Sequence, residues 1–421
     1  MKRQLLIAAL AAAVCTSLGG CQGPTSEGTG PAAAPTTTPD ASSSAAPAKP
    51  APTDMEQLAQ RLVTQSAAVK EGDAVLITGR AHDAELLENI AVNVRKVGGF
   101  PMIEYSSDRL SKRMFFDVPA QYDSQVDGLV RSLADVLDVV ISVNNFTSED
   151  LFEGADPKRM ADRGKASESI GAAFLKKNVR TVEVGNNLYP TQWRAARFGM
   201  SEDELSRTFW NGVNLDYSEL QARGAQVKAA LAGGNEVHIT HPNGTDLKVR
   251  VQGRPVLVSD GIIGADDMKA GGASASVYLP AGEVFTTPVA GTAEGKLVNS
   301  RTFYRGKQVD NLTLTFAGGK VTGMSGSGPG YEGMKAEYDA VGDARKDLFG
   351  YVDFGINPNV KLPATSQVGN WVPAGTVTVG TGSNTWAGGD NSVPYGITVS
   401  LPGSTVTLDG KPVVENGVLK L

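Results

Sequence analysis

Cysteine is almost absent from this 421-residue chain, which holds only Cys15 and Cys21. Both lie in a leader-like N-terminus, and Cys15 sits inside the part that processing would remove. The mature chain is thus expected to have no free thiol, no disulfide and no cysteine metal site. Histidine is nearly as scarce, with only His82, His238 and His241. His238 and His241 stand three apart in a strand pattern, so they point to opposite faces and cannot chelate one ion together. A catalytic zinc site needs three converging protein ligands. Lys/Arg blocks and interleaved basic and aromatic residues are also missing, and the net charge is −6. Nucleic acid is therefore not an expected partner, because phosphate binding needs a basic footprint. No long apolar run follows the leader, so no further membrane crossing is expected. Familiar catalytic motifs fail too. Gly323-Met-Ser-Gly-Ser327 misses the nucleophile elbow at its last position. Gly291-Thr-Ala-Glu-Gly-Lys296 lacks the length and the Ser/Thr of a phosphate-binding loop. The Gly-rich stretch Thr322 to Gly330 reads as a turn between strands. No internal repeat is present.

The N-terminus is what the chain does have. Lys2 and Arg3 precede an apolar run from Leu5 to Val14, too short for a permanent span of ~20 residues. This pattern predicts an export signal over residues 1–21. Its ending, Leu18-Gly19-Gly20-Cys21, resembles the lipobox of bacterial lipoproteins, which implies acylation of Cys21 and attachment to a membrane through that lipid. Residues 22–53 are rich in Pro, Ala, Ser, Thr and Gly and cannot bury enough surface to offset ordering entropy, so a disordered tether is expected there. If the host is Gram-negative, Gln22 after the acylated cysteine suggests outer-membrane sorting.

Residues 54–231 alternate helical and strand patterns. Asp54-x-x-Gln57 and Ser201-x-x-Glu204 read as capping boxes. Leu86, Leu87, Ile90, Val94 and Val97 mark one helical face, closed by Gly98-Gly99. Strands are expected at Ala74–Thr78, Pro101–Tyr105, Val136–Val143 and Arg180–Val184, and a long helix at Tyr217–Leu231. Such alternation predicts a parallel-sheet α/β domain. Residues 232–421 change to a period near two, at Glu236–Thr240, Leu247–Val251, Leu312–Phe316 and Thr376–Val379. Turns at Asn243-Gly244, Gly318-Gly319 and Asp409-Gly410 separate these runs, and a mostly β domain follows.

Four segments in this second half carry a resemblance. Gly244-Thr-Asp-Leu247, Leu279-Pro-Ala-Gly-Glu-Val-Phe-Thr-Thr-Pro288, Phe354-Gly-Ile-Asn-Pro358 and Gly375-Thr-Val-Thr-Val-Gly-Thr-Gly382 are similar to the aminopeptidase T and aminopeptidase S family of bacterial metallopeptidases. Trp386-Ala-Gly-Gly389 and Thr407-Leu-Asp-Gly410 fit the same order. The resemblance implies a two-domain exopeptidase, homodimeric, with two divalent metals such as zinc or cobalt in its second domain. It places the first metal-bridging glutamate of the family on Glu283. The second glutamate falls on Tyr351, and a two-residue slide would offer Asp353 instead. The family's histidine falls on Thr378, its catalytic tyrosine on Thr385, and its closing histidine-x-aspartate pair on Tyr395 and Ile397.

A pair of divalent cations needs several anionic oxygens or imidazoles. Threonine is a weak neutral donor, isoleucine is none, and a phenol with a pKa near 10 stays protonated. With Glu283 alone retained, the expectation is a metal-free relative without a cofactor, binding a peptide or small molecule or serving as a scaffold. The alternative is an exopeptidase with a site rebuilt from Glu283, Asp353, His238, His241 or the pair Asp266 and Asp267, which otherwise reads as a solvated turn.

Overall fold

The computed structural model describes residues 53–421. The expected leader, the lipidation site Cys21 and nearly all of the tether lie outside the described residues. Strand–helix alternation builds a five-stranded parallel sheet in the order Phe100–Ser106, Ala74–Arg80, Val139–Val143, Arg180–Val184, Ser276–Leu279. One face sends Val75, Ile77, Val139, Ile141, Val182 and Val184 into the main core. There Met55–Arg61 packs on Ala84–Lys96, whose Leu86, Leu87, Ile90 and Val94 form the apolar stripe that its spacing predicts. The other face, through Leu76 and Val140, meets Val130, Ile170 and Phe174 from the helices Gly128–Leu133 and Pro157–Lys176. The last strand of this sheet comes from far down the chain, beyond the long helix Tyr217–Gly233.

Two antiparallel sheets follow. The larger has eight strands, in the order Lys320–Ser327, Lys307–Ala317, Glu294–Tyr304, Thr245–Arg250, Glu236–His241, Thr405–Leu408, Lys411–Glu415, Val418–Leu419. Its first strand corrects the reading of Thr322 to Gly330 as a turn. Residues 320–327 pair with the neighbouring strand and only Gly328–Gly330 turn, into the helix Tyr331–Ala340. Gly323 and Gly326 had masked it, since glycine weakens a strand pattern. The smaller sheet runs Thr398–Leu401, Val377–Thr381, Phe349–Gly355, Glu283–Thr286, Val256–Ser259. Its Val284, Val352, Phe354, Val377, Val379 and Val399 join the main core. The opposite face carries the candidate site.

Ser201 caps the helix Glu202–Val213 as predicted, with the reciprocal Glu204 bond present at 2.8 Å. Asp54 accepts from Gln57 N at 3.0 Å at the start of Met55–Arg61.

One buried acid gives this sheet a pH dependence. Glu104, on the edge strand Phe100–Ser106, is 8 % exposed, and burial pushes its carboxyl up to about 8. The native state then keeps a proton that the unfolded chain releases above its ordinary value near 4.3. Stability from this group is therefore greatest at acid pH and declines as pH rises through that window up to about 8. Glu104→Gln is expected to be more stable than the parent by ~2–4 kcal/mol at pH 8 and equal to it near pH 4. Urea unfolding at the two pH values checks this; a pH-independent difference would remove the buried acid as its cause.

Candidate site around Glu283

Glu283 opens its strand directly after the strand that closes the parallel sheet, so only Pro280, Ala281 and Gly282 link the two sheets. Gly282 makes this junction possible. Its φ is +126°, and a Cβ there would lie 2.6 Å from the Cβ of Asn357 and 2.9 Å from its backbone nitrogen. Only glycine fits such a conformation and approach. Asn357 holds the other side, donating from Nδ2 to Ala281 O at 2.6 Å and to Gly212 O at 3.1 Å.

The Glu283 carboxylate is fully buried. Its Oε1 accepts from Asn186 Nδ2 at 2.9 Å. Asn186 spends every polar group in the same place. Nδ2 also donates to Pro280 O at 2.9 Å, and Oδ1 accepts from the indole of Trp371. The backbone nitrogen donates to Oε1 of buried Glu183 at 3.2 Å, and the carbonyl accepts from Asn370 Nδ2 at 3.3 Å. One asparagine thus joins a carboxylate from the parallel sheet to one from the small sheet. Asn186 has φ +42°, a conformation asparagine tolerates better than most residues. The sequence signal is the Gly185-Asn186-Asn187 run after a strand, and the sequence pattern alone points to neither Asn186 nor Glu183.

The remaining positions share one face of the small sheet. Register sets Asp353 beside Phe285 on one side and Thr378 on the other, and Tyr351 beside Gly380. Thr378 Oγ1 donates to Ser400 Oγ at 2.9 Å, and the Tyr351 hydroxyl lies 2.7 Å from Thr398 Oγ1. Over this face lies Trp386. Its ring is 5.0 Å from that of Phe285 and 4.7 Å from that of Tyr351, edge-on to the latter. Together with Ala387 and Leu257 these rings form an apolar cluster separate from the main core. Thr385 starts the same short turn, Thr385–Ala387.

Tyr395 and Ile397 point into other packing. Tyr395 lies edge-on to Tyr338 at 5.9 Å, and burial raises its hydroxyl well above the ordinary range, which keeps it protonated. Ile397 belongs to the main core. The histidines stay away from this face. His238 pairs with Asp246 at 2.7 Å in the eight-stranded sheet, and His241 Nδ1 accepts from Asn243 N at 3.0 Å. His82 lies 3.5 Å from Asp83 in the first half. Asp266 and Asp267 occupy the first turn of the helix Ala265–Ala270 rather than a free turn, and Asp267 accepts from Gly264 N at 2.8 Å.

Among the described residues, no three His, Cys, Asp or Glu side chains converge so that they could hold a metal ion. Glu283 and Asp353 share the face with threonines, a phenol and an indole. This donor set does not fit two divalent cations, which need several charged or imidazole ligands.

The thermophilic metalloprotease (M29) family matches residues 52–336. The chain belongs to this family. The match includes Glu283 and ends ahead of Tyr351, Thr378, Thr385, Tyr395 and Ile397. The fold is similar to that of a solved structure: wild-type AmpT from Thermus thermophilus superposes with a TM-score of 0.64 at 17 % identity, covering 87 % of this chain and 99 % of that one. A structure of 2,5-dihydroxypyridine dioxygenase from Pseudomonas putida KT2440 superposes with a TM-score of 0.54 at 15 % identity, covering 87 % and 96 %. No curated protein matches the chain. The parallel-sheet α/β half followed by antiparallel sheets is thus an AmpT-like fold, as the resemblance of the segments around Glu283 implied.

Proposed function

We propose that this M29 chain is a lipid-anchored envelope protein that has exchanged its dinuclear metal site for packing and now binds a peptide or small molecule, or serves as a scaffold. The observation that carries this reading is the occupation of the Glu283 face by Tyr351, Thr378 and the ring of Trp386. Each places neutral or apolar atoms where a metal pair needs anionic oxygen or imidazole. Buried Glu283 then works as a hydrogen-bond acceptor that ties the loop of Asn186 to the small sheet. The second reading, an exopeptidase with a rebuilt site, draws on the convergence of Glu183 and Glu283 on one asparagine.

One experiment separates them. The purified full chain, incubated with excess zinc, cobalt or manganese and desalted, is expected to retain well under one metal per chain. It is also expected to release no amino acids from unblocked peptides. Stoichiometric metal with peptidase activity that Glu283→Gln abolishes would restore the enzyme. The mass of the same preparation tests the homodimer that family membership suggests, since a monomer at micromolar concentration removes it.

A further inference from the structure

The strand order of the parallel sheet reverses direction between Ala74–Arg80 and Val139–Val143. In open α/β sheets, ligands bind beyond the carboxyl ends of the strands at this kind of switch point. Arg80 ends the first of these strands, and Phe146 follows the second by three residues. Arg80 N donates to Asn145 Oδ1 at 3.0 Å across the gap. Here guanidinium groups and rings stack in a continuous series. Arg80 and Arg194 lie over Phe146 at 5.6 and 5.2 Å, and Phe146 stacks on Trp193 at 6.1 Å. Arg194 and Arg197 lie over Trp193 at 4.4 and 4.5 Å, and Arg197 also covers Phe303 of the eight-stranded sheet at 4.6 Å.

The carboxylates at these strand ends are already committed. Asp108 accepts from Arg80 Nε at 2.8 Å and from the backbone nitrogens of Thr147 and Ser148. Asp83 accepts from Asn145 Nδ2 at 2.6 Å and from the Tyr189 hydroxyl. Glu149 takes both bonds from Arg197. Arg194 is left over. It is 3 % exposed, its Nη1 donates to the carbonyl of Tyr189 and reaches Thr191 Oγ1 at 3.4 Å, and it forms no ion pair among the described residues. Burial, and then the like charge of Arg197, lower its pKa to about 9 against the opposing charge of Glu183. A buried guanidinium without a contacting anion is costly, and its planar fork is built to take two oxygens at once.

We propose that this switch point is a binding site for an organic or inorganic oxyanion, carboxylate or phosphate, held by Arg194 with Arg80 beside it and walled by Phe146 and Trp193. The assignment rests on Arg194, not on whether the Glu283 face binds metal. The stacking fixes the guanidinium planes in advance, so little side-chain entropy is lost when an anion arrives.

Calorimetric titration of the full chain with inorganic phosphate and, separately, with succinate at constant ionic strength tests the assignment. At least one of the two is expected to saturate at one anion per chain. Phosphate alone would point to a phosphorylated ligand and succinate alone to a carboxylate-bearing one. Arg194→Gln is expected to weaken binding at least tenfold, whereas exposed Arg250→Gln leaves it unchanged. Should Arg194→Gln fail to fold, the anion-dependent change in tryptophan fluorescence of the parent, lost in Trp193→Phe, reads the same site. No saturable uptake of either anion, or equal uptake by folded Arg194→Gln, overturns the proposal.

Discussion

Trp386→Ala is expected to lower the stability of the folded chain by ~3–5 kcal/mol, the usual cost of removing a large buried aromatic side chain. The ring is 3 % exposed and packs on Phe285 and Tyr351, themselves almost fully buried. Its neighbours cannot collapse onto the void, because Phe285 and Tyr351 project from adjacent paired strands whose spacing the backbone ladder fixes. Urea unfolding followed by far-ultraviolet circular dichroism measures the loss. A change below ~1 kcal/mol would mean that the ring is a lid over open space rather than part of the packing. That outcome would also weaken the proposed exchange of a metal site for apolar contacts.

Cys21→Ser is expected to move the protein from the membrane pellet to the soluble fraction almost completely. Under the proposed lipid anchor, several acyl chains on one residue would give stable attachment, and loss of the Cys21 thiol would remove all of them together. No helix among the described residues is long and apolar enough to cross a membrane. Fractionation of cells carrying the variant, with a high-salt wash, gives the answer. Sedimentation that survives both the substitution and the wash would rule out the lipid as the anchor.

Much of the fold could be read from local pattern, and much of the site could not. The strands Ala74–Arg80 and Glu236–His241 and the capped helix Glu202–Val213 announce themselves through periodicity and capping residues that lie side by side in the chain. The helix Pro157–Lys176 does not, because its buried residues are only Ala166, Ile170, Gly171 and Phe174 among many charges. Glu283 could be found from the segment around it. Its partner Asn186 is 97 positions upstream, and no short-range pattern couples them. The same holds for the arginine–aromatic series. Read along the sequence, basic and aromatic residues form no interleaved run; in space, positions 80, 146, 193, 194, 197 and 303 are brought into one stack.

The short strand Ser276–Leu279 has a bearing on how the protein is made. Its partner Arg180–Val184 lies 95 residues earlier in the chain, so this pairing forms only after a long stretch of chain has emerged. During that interval the nascent parallel sheet has an open hydrophobic edge, the kind of surface that invites pairing with another chain. Any fragment that stops before Leu279, for instance one cut at the end of the Tyr217–Gly233 helix, would keep that edge permanently. Delayed closure makes this half of the protein depend on its final strand to seal the sheet.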